Sequence, residues 1–477
     1  MARDVVGFLL FIMIGACTIM TSCNAQSNTS ETKVLQGATM FDGTGSTAVE
    51  NSIIVIENDR ISCAGDSNTC NPPADAEMID VSGSYITPGL IDAHVHFFQT
   101  GFFDSRPDAM DIRETYPFAE VAAYQKKHPE RYYDAYLCSG ITGVYDVGGF
   151  TWSVDLQDDA EQHSFAPHVA ASGPLITPDP REDFNLPTDK TLVRLNSEQT
   201  GISTVQYLSE LDATGIKLWQ LPYEDQEYMN RIEALADEAE TRGNSLIAHA
   251  TQLNQAKAAI DAGTRLLVHS VSDTEVDEEF LTMAKENNVM YTPTLIVSSG
   301  YMLAYRAAAG IEPLQINDPN NCIDRKTLEL LDSAEQFHDH PQMSPSFINR
   351  LEAFDSQEDR LSDTEVANLQ TIYEADIPIA VGTDAGNPGT LHGISIYDEL
   401  EAMQQAGIAA EDLIVMATRN GARAMVREED FGTLEEGKLA NLIILNEDPS
   451  QNISNMRTIS RVMLKGRIKE VDQIADN

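Results

Sequence analysis

His94 and His96 stand two residues apart in Pro88-Gly89-Leu90-Ile91-Asp92-Ala93-His94-Val95-His96. On a β-strand, residues i and i+2 point to one face, so a strand here presents two imidazoles side by side, a ready pair of metal ligands. Other groups of the same chemistry end short apolar runs further along. Lys217 sits in Gly215-Ile216-Lys217-Leu218-Trp219, and His249 in Ile247-Ala248-His249-Ala250. His269 follows in Leu267-Val268-His269-Ser270, and Asp384 in Val381-Gly382-Thr383-Asp384-Ala385. Each alone has a plainer explanation, such as a core histidine bonded to a carbonyl or a strand-end aspartate capping a helix. Together, imidazole nitrogens and a carboxylate suit zinc with one position left for water. A metal so held lowers the pKa of its water to roughly 7. Asp384 is then placed to take the proton during attack and return it to the leaving group.

These residues meet only if the runs that carry them are parallel strands with their carboxyl ends together. The middle of the chain alternates strand-like runs with amphipathic helical patterns, the mark of βα units. The expected strands are 91–97, 142–147, 168–172, 216–219, 245–250, 266–270, 289–295 and 378–384, as many as a closed barrel needs. Helices are expected over 225–242, 255–262 and 275–287, with Gly243 and Gly263 stopping the first two. The fold class is α/β: a (β/α)8 barrel over 87–431, with insertions at about 98–141 and 298–374. Both insertions follow strands and so lie over the active face. The β-rich ends, 33–86 and 432–472, are expected to meet in one small β-sandwich domain.

The chain carries 75 acidic against 31 basic residues, a formal charge of −44. Nucleic acid is excluded as a partner, because phosphate binding needs a basic footprint. Residues 1–25 read as a signal peptide, with Arg3 ahead of the apolar run 5–16. Met20-Thr21-Ser22-Cys23 resembles a bacterial lipobox, which makes Cys23 a lipidation candidate; ordinary cleavage before Gln26 is the alternative. The expected location is the periplasm or the outer membrane, with the lipid anchor the sole membrane contact. In an exported chain, Cys63 and Cys70 are expected to pair across the loop between them. Cys138 and Cys322 read as buried thiols.

From about Val34 to Arg467 the sequence resembles the amidohydrolase superfamily, in its imidazolonepropionase-like and Xaa-Pro-dipeptidase-like branch. The motif 88–96, Ile216-Lys217-Leu218-Trp219, Ala248-His249-Ala250, Val268-His269-Ser270 and Gly382-Thr383-Asp384-Ala385-Gly386 carry the likeness. Gly432-Thr433-Leu434-Glu435-Glu436-Gly437-Lys438-Leu439-Ala440-Asn441 looks like the return into the small domain. The resemblance implies a metal-dependent hydrolase on a distorted (β/α)8 TIM barrel. It also implies two zinc ions: His94, His96 and Asp384 on one, His249 and His269 on the other, carboxylated Lys217 between. A single zinc held by His94, His96, His249 and Asp384 is the alternative, with His269 on substrate and Lys217 an ordinary salt-bridged lysine. A lysine among apolar neighbours is costly unless used, which favours the bridged reading.

The branch implies a small-molecule substrate with an amide bond, in a dipeptide or N-acyl amino acid. Lactone, carbamate or cyclic-amide hydrolysis and mononuclear deamination use the same water. A non-catalytic surface binding protein is the remaining class, and its sign would be a broken ligand set. The sequence departs from the dipeptidases at Ala250-Thr251-Gln252-Leu253 after His249 and at Gln220-Leu221 after Lys217. No arginine is visibly placed to clamp a carboxylate, and export argues against imidazolonepropionate. Candidate substrate contacts are His392, Tyr223 and Tyr291, with Thr294 behind them. His338 and His340 are expected to face solvent, and His128, His163 and His168 to be structural. A homo-oligomer fits the family, though no interface is legible. The net charge of −44 generates one expectation: raising salt from low to molar concentration screens self-repulsion and should raise the melting temperature. A melt that is flat in salt would mean that the fold neutralises its own charge.

Overall fold

The computed structural model describes residues 32–355 and 360–475, so the signal segment and its cysteines, Cys17 and Cys23, lie outside the described residues. Six short strands open the fold: β1 (Thr32–Gln36), β2 (Thr39–Met40), β3 (Ile53–Glu57), β4 (Arg60–Gly65), β5 (Glu77–Asp80) and β6 (Tyr85–Pro88). Their β-branched content and two-residue turns favour strands over helices. One sheet has the order β4-β3-β1-β5. The structure joins Cys63 to Cys70, pinning the loop that follows β4.

Nine strands follow in the middle: β7 (Leu90–Val95), β8 (Ile141–Asp146), β9 (His168–Ala171), β10 (Leu175–Thr177), β11 (Leu192–Arg194), β12 (Gly215–Leu218), β13 (Ser245–His249), β14 (Leu266–Val268) and β15 (Met290–Thr292). All pair in parallel, as β7-β8-β9 and as β11-β10-β12-β13-β14-β15. Such strands are buried on both faces, which explains their near-continuous apolar runs. The expected strand at 378–384 is an extended segment with isolated bridges rather than a regular strand. It bridges Tyr291 to Ile379 and Val95 to Ala385, and the Ala93 amide donates to the Val381 carbonyl at 2.9 Å. On the other side, Thr214 N–H donates to the Ala171 carbonyl at 2.8 Å and so ties the two sheets together. This mixed α/β arrangement fits a TIM barrel. The short β10 and β11 were not anticipated; they add a wall between β9 and β12.

Helices Gln226–Arg242, Leu253–Asp261 and Glu278–Glu286 stand where amphipathic helices were expected. The first begins at Asp225, whose carboxylate accepts from two backbone amides, and ends at Gly243 with φ 77°, a left-handed turn that suits glycine. After these parallel strands and their helices the chain returns in β16 (Leu442–Leu445), β17 (Ile459–Leu464) and β18 (Arg467–Glu470). The order β18-β17-β16-β6-β2 puts both ends of the chain in one sheet, and Leu35, Ile54, Ile86, Leu442 and Met463 share the core beneath it.

The two insertions meet one another. Phe102, Phe103, Met110 and Ile112 of the first pack with Ala304, Leu330, Phe337, Met343 and Leu351 of the second in a separate apolar core. Cys138 and Cys322, read from sequence as free buried thiols, are joined as a disulfide. Their separation of 184 residues hid the pairing, since only the fold brings helix Glu130–Cys138 against the second insertion. Replacing both cysteines by serine should cost about 2–4 kcal/mol and speed proteolysis of the second insertion. Unchanged melting and cleavage would mean that the apolar core alone holds the insertion down.

Candidate metal centre

The carboxyl ends of the parallel strands and the segment before Asp384 gather five of the expected ligands; His94, His96 and Asp384 are buried, and His249 and His269 are half-buried. His94 is on β7 and His96 is one residue past its end, with ring centroids 5.2 Å apart. The His269 ring lies 4.9 Å from that of His94 and 4.3 Å from that of His249. Asp384 Oδ1 is 3.3 Å from His94 Nε2 and 3.0 Å from His96 Nε2. His94, His269 and Asp384 each offer a ligand atom within 4.8 Å of the others. Lys217, on β12, is 1% exposed and lines the same cavity as these residues.

The polar atoms of this cluster fit a cation that joins them. His96 Nδ1 donates to the Gly148 carbonyl at 2.5 Å. A neutral ring so committed turns the lone pair of Nε2 toward the Asp384 carboxylate, acceptor against acceptor. His94 Nδ1 and Nε2, Lys217 Nζ and Asp384 Oδ1 are buried without a hydrogen-bond partner. Each such group costs roughly 2–7 kcal/mol if left so. Burial holds His94 and His249 well below the ordinary imidazole value, and takes His269 down to about 4. Neutral imidazoles are what a metal requires. Burial also lowers Lys217 to about 7, against the pull of Asp384 and Asp146, so its amine is substantially neutral.

The backbone bends to make this arrangement. His269 has φ 74°, Asp384 57° and Thr294 51°, all in the left-handed region that costs a non-glycine residue about 1–3 kcal/mol. Thr294 is β-branched and its hydroxyl is bonded to His269 Nδ1 at 2.9 Å. Glu399, fully buried, fixes this turn from behind by accepting from the amides of Leu295 and Ile296 at 2.9 and 3.1 Å. Asp92 performs the same service for the two ligand-bearing segments. Its Oδ1 accepts from the His94 amide at 3.2 Å and the Thr383 amide at 3.0 Å, while Oδ2 takes the Thr383 hydroxyl at 2.6 Å. Burial raises its carboxyl to about 7 despite those bonds. Asp146 at the end of β8 accepts from Phe97 and Gly148, the residues that flank and anchor His96.

The cavity measures about 360 Å³ and is walled by Phe98, Leu175, Phe184, Trp219, Val297 and Tyr301 beside the polar cluster. Arg106, in the first insertion, lines it too, which corrects the expectation that no arginine is so placed. One edge of its guanidinium holds Asp108 at 2.9 and 3.0 Å, and Nη1 donates to Asn387 Oδ1. Asn387 also receives the Tyr301 hydroxyl at 2.8 Å and donates to the Asp384 carbonyl at 3.1 Å. Thr294 lines the cavity; His392, Tyr223 and Tyr291 do not. His392 is buried behind it, accepting from the Tyr136 hydroxyl at 2.6 Å and donating to the Gln99 carbonyl at 3.0 Å. The Tyr291 hydroxyl accepts from the Val271 amide at 2.9 Å, a packing role. Asp92 and Asp146 carried the same signal that marked Lys217, a charged residue among apolar neighbours in a strand. Arg106 and Asn387 carried none.

A family model described as the amidohydrolase family matches residues 85–469. The chain belongs to the amidohydrolase family. It is accordingly a hydrolase that acts on carbon–nitrogen bonds. The imidazolonepropionase of Hyphomonas neptunium is 26% identical over 436 residues, covering 88% of this chain and 93% of that one. The imidazolonepropionase of Picrophilus torridus is 32% identical over 115 residues, 24% of this chain and 28% of that protein's length. A solved Xaa-Pro dipeptidase with methionine bound in its active site has TM-score 0.67 and 22% identity, covering 92% of this chain and all of that one (100%). In this amidohydrolase Asp92→Ala should lower stability by about 2–3 kcal/mol and weaken metal binding by roughly 10–100-fold. Thermal melts with a metal titration check both; a variant that binds metal as tightly as the parent would show that Asp92 merely packs.

Proposed function

We propose that this chain is an exported, zinc-dependent amidohydrolase that cleaves an amide bond in a dipeptide or N-acyl amino acid. The observation that carries the reading is Lys217. A buried amine without a hydrogen-bond partner, held near neutrality amid imidazoles and a carboxylate, is poised to add to carbon dioxide. The amine nitrogen forms the new bond to carbon and releases a proton, leaving a carbamate with two oxygens. Lys217 so modified would complete a donor set for two ions: His94, His96 and Asp384 on one side, His249 and His269 on the other. When bound, zinc supplies Lewis acidity toward water and the scissile carbonyl.

The remaining work belongs to side chains. Asp384 Oδ1 faces the imidazoles while Oδ2 stands 4.0 Å from His269 Nδ1, so one oxygen can hold a proton while the other keeps its place. That proton comes from the attacking water and goes to the leaving amine. Arg106 presents Nη1 to the cavity on a neutral amide partner, Asn387, which a substrate carboxylate outbids as an acceptor. The aromatic walls exclude water and take the apolar part of the substrate. Cyclic-amide hydrolysis is the second reading, favoured by the full-length match to an imidazolonepropionase; Arg106 would serve an acidic cyclic amide equally well.

The proposal extends to the sheets closing into a distorted (β/α)8 barrel through segment 378–385, with residues 33–86 and 432–472 as a separate domain. It also includes export to the periplasm, soluble or anchored at Cys23, and a homo-oligomeric state. Two disulfides suit an oxidising compartment. Elemental analysis of the purified protein should give two zinc ions per chain, and intact mass the increment of one carbon dioxide. Lys217→Ala should lose at least one ion, with activity on dipeptides down by more than about two orders of magnitude. One ion beside an unmodified lysine would replace this reading by the mononuclear one.

A further inference from the structure

Besides Arg106, one charged group from the insertions lines the cavity. Glu365 lines it from helix Asp363–Glu374, the last element before the segment that carries Asp384. Asn368, three residues on and therefore on the same helix face, pins this helix to the loop after His269. Its Nδ2 donates to the carbonyls of Val271 and Thr274 at 2.8 and 2.9 Å, and its Oδ1 accepts from the Val276 amide at 2.8 Å. That loop supplies Ser270 and Ser272 to the same cavity. The helix that carries Glu365 is thus held against the loop after β14, whereas Arg106 is bonded to Asn387, which also receives the Tyr301 hydroxyl. Among the described residues no hydrogen bond or ion pair satisfies Glu365. Burial alone raises its carboxyl to about 7. A half-buried acid without a counter-charge either takes up a proton or is joined by a cation from outside.

The ligand cluster lies in the cavity with both charges. A dipeptide has its ammonium on one side of the scissile amide and its carboxylate on the other. We propose that Glu365 receives the protonated α-amine of the substrate, so that the enzyme selects dipeptides with a free N-terminus over N-acyl amino acids. The inference rests on the amide-hydrolase reading above and chooses between its two substrate classes. An N-acyl group would leave Glu365 facing a neutral amide. A free ammonium instead gives it a charge-assisted hydrogen bond, stronger than a neutral one.

The test uses ligands that are not turned over, so that it does not depend on hydrolysis. The ketomethylene isostere of Ala-Ala and its N-acetyl derivative are titrated calorimetrically into the metal-loaded full chain and into Glu365→Gln and Glu365→Asp. The parent should prefer the free amine at least tenfold. Glu365→Gln should abolish that preference, and Glu365→Asp should restore part of it. A parent that binds both isosteres equally, or neither, overturns the proposal. So does a preference that survives in Glu365→Gln. Failure of the parent to hydrolyse any dipeptide or N-acyl amino acid, measured separately, would instead overturn the amide-hydrolase reading.

Discussion

Lone pairs facing lone pairs out of water are the constraint on which this molecule turns. His94, His96, His249, His269 and Asp384 bring acceptors together in one cavity, and Lys217 adds an amine that burial has made substantially neutral. In a close-packed apolar core each would be a defect of several kcal/mol. A divalent cation between them turns the same repulsion into coordination. The cluster therefore reads as a set of incomplete bonds, and much of the surrounding fold keeps them from relaxing. Were the side chains free to turn, the imidazoles would seek carbonyls and the carboxylate would seek amides.

Two buried aspartates do the restraining. Asp92 bonds to the backbone on both sides of the seam between β7 and the segment that ends at Asp384, so the two halves of one ligand set share an acceptor. Asp146 ties the amide that follows His96 to that of Gly148, whose carbonyl holds the His96 ring. The left-handed backbone at His269, Thr294 and Asp384 is the other half of the restraint. Such geometry persists only where neighbours over-determine it, and Glu399 supplies that for Thr294 by holding the next two amides. Stability is thus given up locally and recovered in the parallel sheets behind.

What was legible in the sequence followed from local pattern. The two-residue period of His94 and His96, and single polar residues closing apolar runs at Lys217, His249 and His269, announce strand ends without reference to anything distant. What was not legible depended on contacts across the chain. His392 looked attractive because it follows Asp384 closely, yet the chain turns at Gly386 and Gly389, with φ 108° and 81°, and sends it behind the cavity to Tyr136 and Gln99. Arg106 had no marker among the other charges of the first insertion, since its role is set by Asn387 and Tyr301, far away in sequence. The Cys138–Cys322 bridge was hidden for the same reason. The strand at 378–384 is correct in place and irregular in form, because its backbone is spent on Asp384 rather than on a ladder.

The molecule also separates chemistry from choice. The groups proposed as metal ligands stand on or directly after parallel strands, rigid elements whose register fixes their directions, save Asp384, which the bridged segment beside β7 carries. The charged groups that could read a substrate, Arg106 and Glu365, come from the first insertion and from the last helix of the second. The insertions share an apolar core and a disulfide, Cys138–Cys322, so they can vary in sequence without disturbing the parallel strands. Under the proposed function, a change in an insertion would alter which substrate is accepted and leave the strand-borne groups where they are. Such a division lets one fold host different activities, because the site and not the fold sets the substrate. It also explains why the family was written in the strands of this chain while the substrate had to be sought in its loops.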